Sequence, residues 1–118
     1  MVKISDAELE VLKVIWNKKE TTSNEIIKEV ESFNWSSNTV RTLIRRLEKK
    51  GAIQSIKKDG KSYIYKPAYD KEEYRVQVTK GLLKKLYNNS AKEMLLTFCQ
   101  AGDLTAKDLD EIVQEIEK

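Results

Sequence analysis

The chain is 118 residues long, with 40% hydrophobic and 35% charged side chains, proportions that suit one ordinary soluble domain or a small domain plus an oligomerisation segment. With no histidine, one cysteine and four glycines, it lacks the usual zinc ligands, the commonest general base, any Ser-His or Cys-His pair and a glycine-rich phosphate loop. Neither catalysis nor a metal or other cofactor is expected. The net charge of +3 conceals an asymmetry: residues 1–35 carry five Lys/Arg and seven Asp/Glu, residues 36–66 nine and two, and residues 67–118 eight and ten.

The first element opens at Ser5-Asp6-Ala7-Glu8, a capping box in which the Ser5 hydroxyl and the Glu8 carboxylate satisfy free amides at a helix start. Leu9, Val11, Leu12, Ile15 and Trp16 give that helix a wide apolar stripe ending near Asn17. Thr22-Ser23-Asn24-Glu25 is a second capping box, and Ile26, Ile27, Val30 and Phe33 form the expected buried face of a second helix. A third helix is capped by Ser36, stapled by Trp35 onto Val40, and closed by Gly51. Val40, Leu43, Ile44 and Leu47 are its buried stripe, and Asn38, Arg41, Thr42, Arg45 and Lys49 share the opposite face.

Two β-prone runs, Ala52–Lys58 and Lys61–Lys66, joined by Asp59-Gly60 and closed by Pro67, predict a hairpin. Three helices followed by a hairpin is the order of a winged helix-turn-helix, in which the third helix enters the major groove and the wing follows the backbone. A basic helix face alone is more often a solvated surface. The hairpin beside it and the nine basic residues of 36–66 favour a nucleic-acid interface.

Beyond the hairpin the chain is expected to be helical. Tyr74, Val78, Leu82 and Leu86 recur every four residues; Ala91, Met94, Leu95 and Phe98 form another stripe; Leu109, Ile112, Val113 and Ile116 form a third, opened by Thr105. Such short helices fold by burying their stripes, and an interlocked homodimer is the natural cover. The resulting expectation is a mainly α chain with a small β-hairpin wing, made of a winged-helix domain over 1–69 and a helical dimerisation domain over 70–118. Tyr74, Val78, Leu82, Leu86, Leu109, Ile112, Val113 and Ile116 are the candidate interface. Cys99, in the apolar run Leu95–Cys99, reads as buried filler in a reducing compartment. No apolar run approaches the ~18 residues that span a bilayer, and Met1–Asp6 has no signal-peptide apolar region, so a cytoplasmic location is expected.

Several segments together resemble the BlaI/MecI family of penicillinase and methicillin-resistance repressors over nearly the full length. They are Ser5–Leu12 with Ile15-Trp16, Thr39–Leu47 with Lys49-Lys50-Gly51, Tyr63-Ile64-Tyr65, and Leu95–Phe98 with Asp103-Leu104-Thr105. The resemblance implies a homodimeric repressor on a palindromic operator upstream of β-lactam-resistance genes. It also implies release by proteolysis in the C-terminal domain, signalled by a membrane sensor-transducer that detects β-lactam. The family's cut precedes a Phe and usually follows Asn; the corresponding pair here is Thr97-Phe98. Related copper-responsive repressors carry a Cys-rich tail, which this chain lacks.

Double-stranded operator DNA is thus the expected partner. Ser37, Asn38, Arg41 and Thr42 are candidate base contacts, since Asn and Arg bond bidentately to adenine and guanine edges. Arg45, Arg46, Lys49, Lys57, Lys58 and Lys61 are candidate phosphate contacts. Two alternatives stay open: a winged-helix regulator released by a small-molecule effector, and a winged-helix module that binds an acidic protein.

Overall fold

The computed structural model describes residues 3–58 and 62–118, which divide into two compact units, Met1–Arg75 and Val76–Lys118. The first unit contains α1 (Asp6–Lys18), α2 (Ser23–Glu29), a 3-10 turn (Glu31–Phe33), α3 (Ser37–Lys49), β1 (Ile53–Lys58) and β2 (Ser62–Pro67). Helix α4 (Lys71–Tyr87) carries residues of both units, and α5 (Ala91–Ala101) and α6 (Ala106–Ile116) belong to the second. The split between the two compact units falls within α4, between Arg75 and Val76. The expected Asp59-Gly60 turn and Lys61 lie outside the described residues.

Helix starts follow the local chemistry. Ser5 and Glu8, Thr22 and Glu25, and Thr105 and Asp108 form reciprocal capping boxes, and Ser36 caps α3 through the Thr39 amide. The Thr105 amide and hydroxyl hold the Asp108 carboxyl below its ordinary range. Helix α3 ends in a Schellman motif: Gly51, at φ +78°, and Ala52 donate their amides to Glu48 and Leu47. Asn88 and Asn89, both at positive φ, follow the end of α4.

The first unit's core joins Val11, Leu12 and Ile15 of α1 to Ile26, Val30, Val40, Leu43, Ile44, Leu47, Ala52 and Ile53. Two expectations change here. Phe33 leaves the core and is 45% exposed, stacked on Trp35 at 4.7 Å. Helix α2 ends at Glu29, and a 3-10 turn has three residues per turn instead of 3.6, which rotates Phe33 off the apolar stripe. Tyr74 packs in the first unit, 5.5 Å from Trp16 and stacked with Tyr69 at 6.2 Å, and does not share one stripe with Leu86. A strict four-residue repeat precesses around a helix of 3.6 residues per turn, so Tyr74 and Leu86 point in different directions.

The hairpin pairs antiparallel, from Ile53 opposite Pro67 to Lys58 opposite Ser62. A tertiary bridge extends it: Thr21, buried after α1, exchanges both backbone hydrogen bonds with Tyr65, at 2.8 and 3.1 Å. Trp16 Nε1 donates to the Tyr69 carbonyl at 2.9 Å, anchoring the chain where it leaves β2.

In the second unit no residue of 76–118 is buried. Leu83, Tyr87, Met94, Cys99, Leu104 and Leu109 are half-buried, so Cys99 is not the fully enclosed filler expected from its apolar neighbours. Val78, Leu82, Leu86, Phe98, Ile112, Val113 and Ile116 are exposed, Ile116 at 76%.

Candidate nucleic-acid interface

Burial of Val40, Leu43, Ile44 and Leu47 turns the other side of α3 outward. Ser37, Asn38, Arg41, Arg45, Arg46 and Lys49 are exposed and Thr42 is half-buried. Asn38, Thr42, Arg45 and Lys49, spaced i, i+4, i+7 and i+11, form the crest opposite the core. Arg41 and Arg46 lie on its two flanks, and Ser37 occupies the first turn.

The crest is internally bonded. The Thr42 hydroxyl donates to the Asn38 carbonyl at 2.9 Å, and Arg45 Nη2 donates to Thr42 Oγ1 at 3.2 Å. Arg45 therefore lies back along the crest toward the helix N-terminus.

The wing is tied to the same helix. Ser55 of β1 donates its hydroxyl to the Glu48 carboxylate. Burial pushes the Tyr65 phenol up, with Glu48 and Tyr63 adding to the rise and Arg41 and Arg45 opposing it, so β2 shares an electrostatic neighbourhood with the basic side of α3. Lys57 is exposed on β1, directly opposite exposed Tyr63. The side chain of Lys58 and the whole of Lys61 lie outside the described residues.

Three anchoring groups are not apparent from the sequence. Thr21 gives no signal beyond a β-branched residue before a cap. Glu48 is one of two acids in the basic segment 36–66, an anomaly that could mark it. Lys50 donates to the Lys3 carbonyl at 2.8 Å and to Glu8 Oε1 at 2.5 Å, joining the end of α3 to the start of α1. Burial raises the Glu8 pKa, but hydrogen bonds from Lys50 and Ser5, with the Lys50 charge, hold the carboxyl below its ordinary value.

The other expected residues, Tyr74 apart, belong to the second unit. Thr97 and Phe98 belong to the last two turns of α5. Thr97 Oγ1 donates to the Glu93 carbonyl at 3.0 Å, and the Phe98 carbonyl accepts from the amides of Asp103 at 2.9 Å and Leu104 at 3.3 Å. Along α6, a groove lined by Leu104, Asp108, Glu111, Ile112, Glu115 and Ile116 has an apolar floor and an acidic rim. Among the described residues no cluster of three His, Cys, Asp or Glu side chains could hold a metal ion, and no helix is long and apolar enough to cross a membrane.

Comparison with known proteins gives a consistent result. The profile of the family described as penicillinase repressor matches residues 4–118. The penicillinase repressor of Bacillus licheniformis is 37% identical over 116 residues, covering 98% of this chain and 90% of that protein. The methicillin resistance regulatory protein MecI of Staphylococcus aureus is 36% identical over 110 residues, covering 92% of this chain and 89% of its own length. The solution structure of Bacillus licheniformis BlaI, in its monomeric form in complex with the blaP half-operator, superposes with a TM-score of 0.53 at 44% identity. That match covers 62% of this chain and 89% of the BlaI chain.

Proposed function

The chain belongs to the penicillinase repressor family and is a DNA-binding transcriptional repressor rather than an enzyme; we propose that it acts in the cytoplasm as a homodimer on a palindromic operator of β-lactam-resistance type genes. The observation that carries the reading is the exposed basic crest of α3 beside a wing bonded to the same helix. On DNA, α3 enters the major groove. Ser37, Asn38 and Arg41 meet base edges, and Thr42 presents its methyl there because its hydroxyl proton is committed to Asn38. Arg46, Lys49 and Lys57, together with Lys58 and Lys61, meet phosphates, adding affinity without reading sequence.

Dimerisation is supported by the second unit's lack of any buried residue. Covering a Leu- or Ile-sized side chain stabilises by ~1.5–3 kcal/mol, and Val78, Leu82, Leu86, Ile112, Val113 and Ile116 offer that gain to a second copy. Two linked half-sites then bind with an avidity that separate monomers lack.

Release follows from cutting Thr97-Phe98 after a membrane sensor has detected β-lactam. The bond lies within α5, so a protease needs that helix to open. A short helix with no buried residue opens at low cost. Cleavage there separates α6 from the rest of the dimerisation unit and lowers operator affinity.

A footprint on DNA upstream of the protein's own gene tests the reading. Protection of two half-sites related by a two-fold axis is expected, centred about one helical turn, or a multiple of one, apart. Uniform weak protection of any duplex would reject a sequence-specific repressor. Following the protein by mass in β-lactam-treated host cells tests the release step. Intact chains persisting while the target genes are expressed would replace proteolysis with a ligand-driven mechanism.

A further inference from the structure

We propose that Arg45 is a base-reading, specificity-determining residue that selects a guanine in each half-site, and that Thr42 positions it. The inference rests on the repressor reading above and departs from the expectation that Arg45 meets a phosphate.

Three observations carry it. Arg45 lies on the crest of α3 with Asn38 and Thr42, opposite the buried stripe, and so faces the floor of a groove the helix enters. Second, the guanidinium is anchored: Nη2 donates to Thr42 Oγ1, which is itself fixed by donation to the Asn38 carbonyl. An arginine held in place loses less side-chain freedom on binding than a free one. Third, one bond to Thr42 leaves a two-donor edge of the guanidinium free, and such an edge matches guanine O6 and N7.

The chain of bonds also reassigns Thr42. Its only proton is committed to Asn38, so the hydroxyl serves Arg45 as an acceptor and does not itself donate to a base. Arg45 is exposed and Thr42 half-buried, so substitutions at either position leave the core of the first unit in place.

The test selects duplexes from a random-sequence pool with the wild-type chain, Arg45→Ala, Thr42→Val and Thr42→Ser. Each affinity is then measured on the wild-type consensus and its single-base variants. A guanine preference in each half-site is expected for the wild type and absent in Arg45→Ala, whose affinity for the consensus falls by roughly 5- to 150-fold, the range of a good bidentate pair. Thr42→Val should weaken the same preference and no other, and Thr42→Ser, which keeps the hydroxyl, should restore it. An equal loss on every duplex, with the slope of log K against log salt reduced by about one unit, would make Arg45 a phosphate contact and overturn the proposal. An unchanged guanine preference in Arg45→Ala would overturn it too, while leaving the repressor reading intact. A wild-type chain that selects no sequence would overturn both.

Discussion

Replacing Lys50 with Met should be among the most damaging changes outside the apolar core. The Glu8 side chain is nearly fully buried, its Oε1 accepts from Lys50 and from the Ser5 amide, and its Oε2 has no hydrogen-bond partner among the described residues. Removing one member of a buried ion pair costs about 3–5 kcal/mol, because the other charge is stranded. The Lys50 side chain is 28% exposed, so water can partly replace the ammonium, which lowers the expectation to about 2–3 kcal/mol. The bond to the Lys3 carbonyl disappears as well. Glu8→Gln combined with Lys50→Met should cost less than Lys50→Met alone, since no charge remains to be stranded. Urea unfolding followed by tryptophan fluorescence isolates the relevant unit, because both tryptophans, Trp16 and Trp35, lie in it.

The same pair predicts a pH dependence. The folded Glu8 pKa lies below its ordinary 4.5, so the carboxylate's contribution is complete above about pH 4.5 and is lost as pH falls through the folded value. Glu8→Gln should therefore flatten the stability profile below pH 4.5 and leave its slope at neutral pH unchanged. A Lys50→Met cost under about 0.5 kcal/mol, the level of an ordinary surface change, would refute the reasoning, as would an acid limb identical in Glu8→Gln and wild type.

Ile112→Asp with Ile116→Asp places two charges on residues already exposed in the single chain, so the helix should persist while a dimer dissociates; sedimentation still showing the dimer would locate the interface elsewhere. Replacing Lys57, Lys58 and Lys61 with Ala should weaken binding to every duplex and flatten the salt dependence by about one unit for each phosphate no longer neutralised, and an unchanged slope would remove the wing from the interface. Lys19 closes α1 at φ +68°, ψ −40°, so Lys19→Gly should stabilise the first unit by up to about 1 kcal/mol in the same urea measurement; a destabilised variant would mean that the Lys19 side chain makes a compensating interaction.

The parts of this fold legible in the sequence are those whose chemistry is local. The boxes at Ser5–Glu8, Thr22–Glu25 and Thr105–Asp108 each need two residues three positions apart, and the stripe of α3 needs only a 3.6-residue period. Groups with a second partner far along the chain are only half legible. Glu8 is recognisable as a cap, yet the same oxygen that accepts from Ser5 also accepts from Lys50, 42 positions away. Thr21 joins the hairpin through backbone atoms alone, which leave no mark in side-chain identity. Phe33 and Tyr74 depart from expectation because a fixed spacing does not hold past the point where the backbone changes its period or the repeat precesses around the helix.

The recognition face shows the same division at finer scale. Periodicity decides which side of α3 is buried, because apolar burial is a property of the whole face. It does not rank the residues left outside: Arg41, Arg45 and Arg46 carry the same charge on the same half of one helix. What separates them is a pair of side-chain hydrogen bonds, Arg45 to Thr42 and Thr42 to Asn38, that the other two arginines lack among the described residues. A guanidinium fixed before it meets DNA loses less side-chain freedom on binding than a free one and favours one alignment of its donors. In the proposal for Arg45, discrimination at one base rests on a constraint between neighbours, and charge counting along the sequence has no access to it.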